Sequence, residues 1–177
     1  MTRSDRGPSR FRVSVAKDYL TFSAAHFITI AGHKCESLHG HNYVVNVSIA
    51  GTVDRTTGFV VDFAVVKQLL GPALDALDHR VLVPTRNELV GVRPDGGSTE
   101  IDYRGTARFR FPTSDVALVP VTDTTAELLA EFLAGIVVEG LAREGIFGAG
   151  SVTVEVEESP GQIGAYSAPV DDTEDAE

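Results

Sequence analysis

The chain has 177 residues, a formal net charge of −10 and one cysteine. This length suits one domain with a hydrophobic core, and a composition of 43% hydrophobic and 23% charged residues excludes wholesale disorder. One cysteine excludes an internal disulfide, and no apolar run reaches the roughly 18 to 20 residues that a membrane helix needs. The acidic balance excludes a broad basic surface, so we expect neither a nucleic-acid nor a membrane partner.

Both ends of the chain are polar. Residues 1–10 predict a flexible N-terminus without the hydrophobic segment of a secretory signal, which favours the cytoplasm. Residues 169–177 contain five acidic side chains and predict an acidic, disordered tail. Between them, residues 11–168 are expected to form a single domain.

The first half of the chain predicts two strands and a helix. Alternation at 11–15 and 19–26, with a turn between them, and β-branched residues at 42–50 indicate two long antiparallel strands joined by a substantial loop. Asp62 is a candidate helix N-cap, and Pro72 should kink or split the helix that follows. The apolar face of that helix repeats every three or four residues, at Phe63, Val66, Leu70, Leu74 and Leu77.

The second half predicts another helix and a strand pair. A capping-box pattern at 124–127, which accounts for Glu127, begins a helix that runs to about Arg143. Its predicted apolar face consists of Leu128, Phe132 and Ile136. Residues 151–157 alternate strictly and predict a strand, with a short partner at 163–166. The order of elements indicates an α+β fold, an antiparallel sheet backed by two helices.

Residues 84–121 interrupt this pattern. A turn at 94–97 and alternation at 108–111 predict an inserted β-hairpin. Three arginines of this region, interpreted as a solvated face with a basic binding face as the alternative, are Arg104, Arg108 and Arg110.

Three histidines are candidate metal ligands. His39 and His41 are two residues apart, so they share one face of an extended chain, and His26 ends the preceding strand within reach of them. Three imidazoles without a fourth protein ligand form a typical catalytic zinc site. Ordinary surface or core histidines remain the alternative on spacing alone.

Four further residues are candidates for chemistry. Cys35 is either an inert buried thiol or, beside a metal or imidazolium, a reactive thiolate. Asp78 and His79 either end the first helix or belong to a proton relay, and as sequence neighbours they need not face each other. Glu158 breaks the alternation of its strand, so its carboxylate either faces a cavity, where it could bind an amidine-like edge, or ends an exposed strand.

Six segments together resemble the 6-pyruvoyl-tetrahydropterin synthase and 6-carboxy-tetrahydropterin synthase superfamily. They occur in the family's order across most of residues 11–166: FSAAH at 22–26, CESLHGHNY at 35–43, GFVVDF at 58–63, LDH at 77–79, TAE at 125–127 and ES at 158–159. The resemblance implies a tunnelling-type fold (T-fold), with homo-oligomeric trimers paired as hexamers and sites between subunits.

The resemblance also implies residue roles. His26, His39 and His41 match the Zn²⁺ ligands, whereas the catalytic residues correspond to Cys35, Asp78 and His79. Glu158 matches the residue that anchors the pterin ring, and Thr125 matches a residue of the same pocket. The implied activity is a zinc-dependent carbon–oxygen lyase acting on 7,8-dihydroneopterin triphosphate. The carboxy branch yields 6-carboxy-tetrahydropterin, acetaldehyde and triphosphate, and its product is a precursor of 7-deazapurines such as queuosine.

Several alternatives stay open at this point. The pyruvoyl branch keeps the substrate side chain, and some dihydroneopterin-cleaving relatives of folate synthesis use a glutamate near the position of Glu36. A non-catalytic zinc- or pterin-binding module is the alternative of another class. Position alone makes His33, Lys34 and Arg80 candidates for holding the triphosphate.

Overall fold

The computed structural model describes residues 11–30, 34–146 and 148–170. Neither helix in these ranges has the length and apolar character of a membrane span. Residues 1–10, predicted to be flexible, and 171–177, most of the predicted acidic tail, lie outside the described residues. The elements are β1 Phe11–His26, β2 Thr29–Ile30, β3 Lys34–Cys35, β4 His39–Gly51, α1 Phe63–Leu77, β5 Arg80–Pro84, β6 Val90–Asp95, β7 Ser98–Tyr103, β8 Thr106–Pro112, β9 Val116–Val119, α2 Ala126–Arg143, β10 Ala149–Ser159 and β11 Gln162–Pro169.

The largest sheet has six strands in the order β11-β10-β4-β1-β5-β9. Strands β1 and β4 are the predicted pair of long antiparallel strands. The last residue of β1, His26, lies opposite the first residue of β4, His39. The turn expected between residues 15 and 19 does not form, because β1 continues through a register shift at residues 16–21. Leu20 in this irregular stretch is completely buried, so core packing keeps the strand in the sheet.

The α+β class is confirmed, with two parallel pairings added to the predicted antiparallel sheet. Strand β5 pairs with β1, and β9 pairs with β5, both in parallel. A parallel pairing needs a crossover connection, which α1 provides before β5 and the β6–β8 segment provides before β9. Because β5 and β9 have only 5 and 4 residues, they carry too little periodicity to reveal this arrangement.

Helix α1 begins as predicted and is not split. The Asp62 carboxylate accepts a hydrogen bond from the backbone N–H of Ala64 at 2.8 Å, which satisfies a free donor of the first turn. The helix then runs through Pro72 to Leu77, held by burial of its apolar side. Four of the five predicted face residues are buried, whereas Phe63 at the first position is 59% exposed.

Helix α2 presents a different face from the predicted one. Its buried large side chains are Leu129, Leu133, Val137 and Leu141, whereas the three predicted residues pack only at the margin of the core. The capping box is also absent: the N-cap is Thr125, so Glu127 lies one position too early to close it. Thr124 is unavailable as a cap because its buried hydroxyl donates to the carbonyl of Phe27 at 2.9 Å.

The excursion between β5 and β9 contains two hairpins where one was predicted. Strands β6, β7 and β8 form a separate three-stranded antiparallel sheet. Left-handed residues make both tight turns, Gly96 and Gly97 in the first and Arg104 and Gly105 in the second. This small sheet packs on a second hydrophobic cluster, in which the rings of Phe109 and Phe27 lie 5.1 Å apart.

Candidate metal centre and active site

The three candidate ligands converge at one end of the β1–β4 pair. His39 lies directly opposite His26, and His41 lies two residues further along the same strand. The ring centroids are 4.5 Å apart for His26 and His39, 5.3 Å for His26 and His41, and 5.0 Å for His39 and His41. One nitrogen of each ring lies within 4.8 Å of the other two, so the three could hold a metal ion.

Backbone carbonyls fix the orientation of two of these rings. Nδ1 of His26 lies 2.9 Å from the carbonyl oxygen of Thr124, and Nδ1 of His39 lies 2.9 Å from that of Ser37. A carbonyl only accepts, so the proton is on Nδ1 and Nε2 keeps its lone pair. This is the outer-shell arrangement that supports metal-binding histidines.

Two of the ring nitrogens that face the centre of the cluster make no hydrogen bond within the described residues. Nε2 of His26 and Nε2 of His41 are both buried, and within the described residues neither makes a hydrogen bond. A buried polar atom without a partner is costly unless something else satisfies it. Two such nitrogens aimed at one point fit a cation that accepts their lone pairs.

Burial keeps the innermost ring neutral. His26 is only 2% exposed, and burial lowers its pKa below the ordinary histidine range. The nearby rings of His39 and His41 lower it further, against the opposing effects of the Thr124 carbonyl and the Glu158 carboxylate. At neutral pH the imidazole is therefore in the form that ligates a metal.

Glu158 reaches the same centre through a strand irregularity. The β10–β11 register shifts between Glu157 and Ser159, so Glu158 leaves the alternation of its strand, as its sequence position indicated. Its Oε1 lies 3.1 Å from Nε2 of His26 and 3.5 Å from Nε2 of His41. Burial, followed by the Glu158 carboxylate, raises the pKa of the adjacent Tyr43, whose ring stays neutral.

Asp78 and His79 contact each other directly, a possibility that the sequence left open. His79 follows the C-cap of α1 in a left-handed conformation with φ 55°, which turns its ring back so that Nδ1 lies 2.7 Å from Oδ2 of Asp78. The other carboxylate oxygen accepts the backbone N–H of Ser23 at 2.7 Å. The hydrogen bond from Ser23, followed by that from His79, lowers the pKa of Asp78, so the carboxylate stays ionised and orients the ring.

Cys35 lies on the short β2–β3 hairpin, opposite Thr29. The thiol is half-buried, and its Sγ lies 3.6 Å from the carbonyl oxygen of Glu36. Burial is the largest influence and raises the pKa of Cys35, whereas the guanidinium of Arg108 acts in the opposite direction. In this environment the thiol depends on neighbouring positive charge to ionise.

Within one chain the candidates line two different cavities, whose linings come within 3.5 Å of each other at His41 and Glu158. His41 and His79 line a cavity of about 500 Å³, together with Arg80, whose guanidinium donates to the carbonyl of Ser114. Glu158 and Thr125 line a second cavity of about 390 Å³. Among the described residues that line these cavities, Cys35 is absent. His33 and the side chain of Lys34 lie outside the described parts of the chain.

The chain matches the sequence model of the 6-pyruvoyl tetrahydropterin synthase family over residues 15–169. It belongs to this family. A relative from Methanocaldococcus jannaschii, described as a putative 6-carboxy-5,6,7,8-tetrahydropterin synthase, is 32% identical over 148 residues, which are 83% of this chain and 89% of the relative. A Bacillus subtilis 6-carboxy-5,6,7,8-tetrahydropterin synthase is 30% identical over 108 residues, 60% of this chain and 62% of that protein.

Solved structures of the family confirm the predicted T-fold. The 6-pyruvoyl tetrahydropterin synthase of Plasmodium vivax aligns with a TM-score of 0.82 at 23% identity, over 90% of this chain and 98% of that chain. A variant of that protein with a catalytic glutamate replaced by alanine gives the same TM-score of 0.82 at 22% identity.

Sequence reasoning missed the residues that orient the candidate ligands in this family member. The carbonyls of Ser37 and Thr124 carry no side-chain signal, so no motif could reveal them. Asp123 could have been noticed, because an aspartate shortly before a helix is a typical capping candidate. Its carboxylate accepts the backbone N–H of Thr29 at 2.8 Å and the hydroxyl of the same residue at 2.6 Å, which ties the Cys35 hairpin to the start of α2.

Proposed function

We propose that the chain is a zinc-dependent 6-carboxy-5,6,7,8-tetrahydropterin synthase. The reaction converts 7,8-dihydroneopterin triphosphate to 6-carboxy-tetrahydropterin, acetaldehyde and triphosphate. The observation that carries the proposal is the set of three converging imidazoles. Two of their buried Nε2 atoms make no hydrogen bond within the described residues and have the Glu158 carboxylate beside them. The branch is supported by the names of the two relatives, because both are described as carboxy-tetrahydropterin synthases.

The proposed ligands are His26, His39 and His41, and zinc suits a site of three imidazoles that leaves a position for substrate. When bound, zinc supplies Lewis acidity at the hydroxyl oxygens of the substrate side chain and makes the adjacent C–H protons more acidic. The fixed Nδ1 hydrogen bonds of His26 and His39 keep their Nε2 atoms available in advance.

The protein's own groups then move protons and hold the substrate. Asp78 keeps Nδ1 of His79 engaged, which leaves Nε2 of the 82% exposed side chain free to exchange a proton with substrate. Cys35 acts as the second proton-transfer group in its thiolate form. Glu158 accepts hydrogen bonds from the amidine-like edge of the pterin ring, with Thr125 in the same cavity.

We propose that the complete site forms between subunits of a homo-oligomer, a hexamer built as a dimer of trimers. The difference between the residues that line the two cavities and the high exposure of His79 support this arrangement, because neither cavity of one chain contains all the candidate groups. The proposed setting is the cytoplasm, with a 7-deazapurine pathway as the consumer of the product and with no nucleic-acid or membrane partner.

Product analysis tests the proposal. The zinc-loaded protein is incubated with 7,8-dihydroneopterin triphosphate, pterins are identified by mass spectrometry, and acetaldehyde is measured in parallel. We expect 6-carboxy-tetrahydropterin and an equal amount of acetaldehyde. A pyruvoyl product without acetaldehyde would assign the other branch, whereas bound pterin without turnover would favour a binding module.

A further inference from the structure

The small sheet β6–β8 reaches the hairpin that carries Cys35. Both belong to the second hydrophobic cluster, because half-buried Cys35 and Phe109 each pack against it. The anchor is the ring of Phe27, which follows β1 directly and lies 5.1 Å from the ring of Phe109. A segment that looks like a peripheral excursion in the sequence is therefore attached to the proposed catalytic thiol.

Arg108 on β8 makes a specific contact there. Its Nη2 donates to the carbonyl oxygen of Glu36 at 3.3 Å, and the Sγ of Cys35 lies 3.6 Å from the same oxygen. The guanidinium carbon also lies 5.3 Å from the centroid of the Phe109 ring, which restricts the side chain. The guanidinium and the thiol thus meet at one backbone carbonyl.

Other arginines of this sheet are engaged elsewhere. Arg93 lies 3.1 Å from the carboxylate of Asp102, and Arg110 lies 2.6 Å from that of Asp95. Within the described part of the chain, no carboxylate lies within ion-pair distance of Arg108, so its charge is not neutralised by an acidic neighbour.

We propose that Arg108 is a positioning residue that stabilises the thiolate of Cys35 and holds the Cys35–Glu36 backbone in place. This inference rests on the proposed function, in which Cys35 transfers a proton. It gives the separate β6–β8 sheet a role in the site.

The charges around the thiol agree with this geometry. Among the described residues, the charged groups that face Cys35 are Arg108 from β8, Asp123 from the segment before α2, and Glu36 from its own hairpin. Burial, followed by the two carboxylates, raises the pKa of Cys35, and Arg108 is the group that lowers it. Without Arg108, the remaining influences from the described part of the chain all oppose ionisation of the thiol.

The single cysteine allows a direct test, because alkylation by iodoacetamide reports only on Cys35. The alkylation rate is measured against pH for the wild type, Arg108→Gln, Arg108→Lys and the control Arg110→Gln. We expect the midpoint for Arg108→Gln to rise by about one pH unit, which slows alkylation ~10-fold below the midpoint. Arg108→Lys keeps the positive charge, so its midpoint should stay close to that of the wild type, and Arg110→Gln should match the wild type.

Two results would overturn the inference. One is an Arg108→Gln profile that coincides with the wild-type profile, even if turnover falls, since that would indicate a purely structural role. The other is an equal shift in Arg110→Gln, which would indicate a general effect of net charge. Alkylation needs no substrate, so a shifted profile in a protein that turns over no pterin would support the Arg108 contact while refuting the proposed function.

Discussion

His39 is the most accessible of the three candidate ligands, and replacing it tests the metal centre with little disturbance of the core. His39→Ala should reduce bound zinc from stoichiometric to trace amounts, because two imidazoles alone leave a divalent ion poorly held. The matched control is Glu158→Gln, which should keep its zinc and lose affinity for pterin. Metal analysis of the purified protein measures the zinc content of both variants. Unchanged zinc in His39→Ala would mean that the site is assigned wrongly, and zinc loss in Glu158→Gln would make Glu158 a ligand.

Cys35 and Glu36 are adjacent and offer two candidates for the proton-transfer group. Cys35→Ala should lower turnover ~10²–10⁴-fold while zinc stays bound, because general acid–base groups contribute that much. Glu36→Gln should retain activity, since its backbone carbonyl rather than its side chain makes the observed contacts. Steady-state kinetics on both variants decide between them. The reverse pattern would favour the dihydroneopterin-cleaving alternative.

At the scale of single residues, the sequence identified the candidate ligands and proton-transfer groups better than the backbone geometry that orients them. The spacing of His39 and His41 was enough to predict their shared face, whereas the break in alternation left Glu158 open between a carboxylate that faces a cavity and one at an exposed strand end. The contact between Asp78 and His79 was left open, because the left-handed backbone at His79 that brings them together is unusual for a residue other than glycine. Such a conformation depends on how the chain leaves α1, which spacing does not reveal.

Asp78, at the junction between α1 and β5, should make the free energy of unfolding depend on pH. The pKa of folded Asp78 is lowered, so its stabilising effect is present above the ordinary aspartate pKa of about 4 and is lost as the pH falls through the lower folded value. Asp78→Asn should therefore destabilise the protein at pH 7 and have little effect near pH 2. The loss should be about 1 kcal/mol or less, since the 40% exposed side chain is screened by water.

Urea unfolding of wild type and Asp78→Asn at the two pH values measures this difference. Asp75→Asn, an exposed position on the same helix, is the control and should change little at either pH. An equal loss at both pH values would show that the carboxylate charge is not what stabilises the junction.

At the scale of elements, the sequence predicted which helices and strands exist better than which face of a helix is buried. Both helices and the long strand pair were found, but the buried face of α2 was displaced by one position. The helix is apolar at both sets of positions, so its own periodicity is ambiguous. The choice is made by packing on β10 and β11, which local patterns do not contain.

The whole molecule has exposed apolar side chains on both edge strands of its six-stranded sheet. Leu118 on β9 is 57% exposed, and Ile163 on β11 is 51% exposed. Unpaired edges with apolar side chains are typical of surfaces that another strand covers. Leu118→Asp should therefore dissociate the proposed oligomer and abolish turnover while zinc binding persists, as measured by sedimentation and metal analysis.

The matched control for that experiment is Thr106→Asp, an exposed position on the separate β6–β8 sheet, which should leave assembly intact. A Leu118→Asp variant that sediments like the wild type would place the subunit contact elsewhere. The sequence could not predict this surface, because an edge strand and an internal strand of four residues look alike until their neighbours are known.

The hydrogen bond between His26 and Thr124 joins two parts of the chain 98 residues apart. Thr124 precedes α2, so the ring that completes the proposed zinc site is oriented by the docking of that helix. Metal affinity and helix docking would then be thermodynamically linked: whatever loosens α2 would weaken metal binding, and a bound metal ion would in turn hold the N-terminal strand pair to the C-terminal half. A chelator would act on this protein as a destabiliser of distant packing as well as an inhibitor.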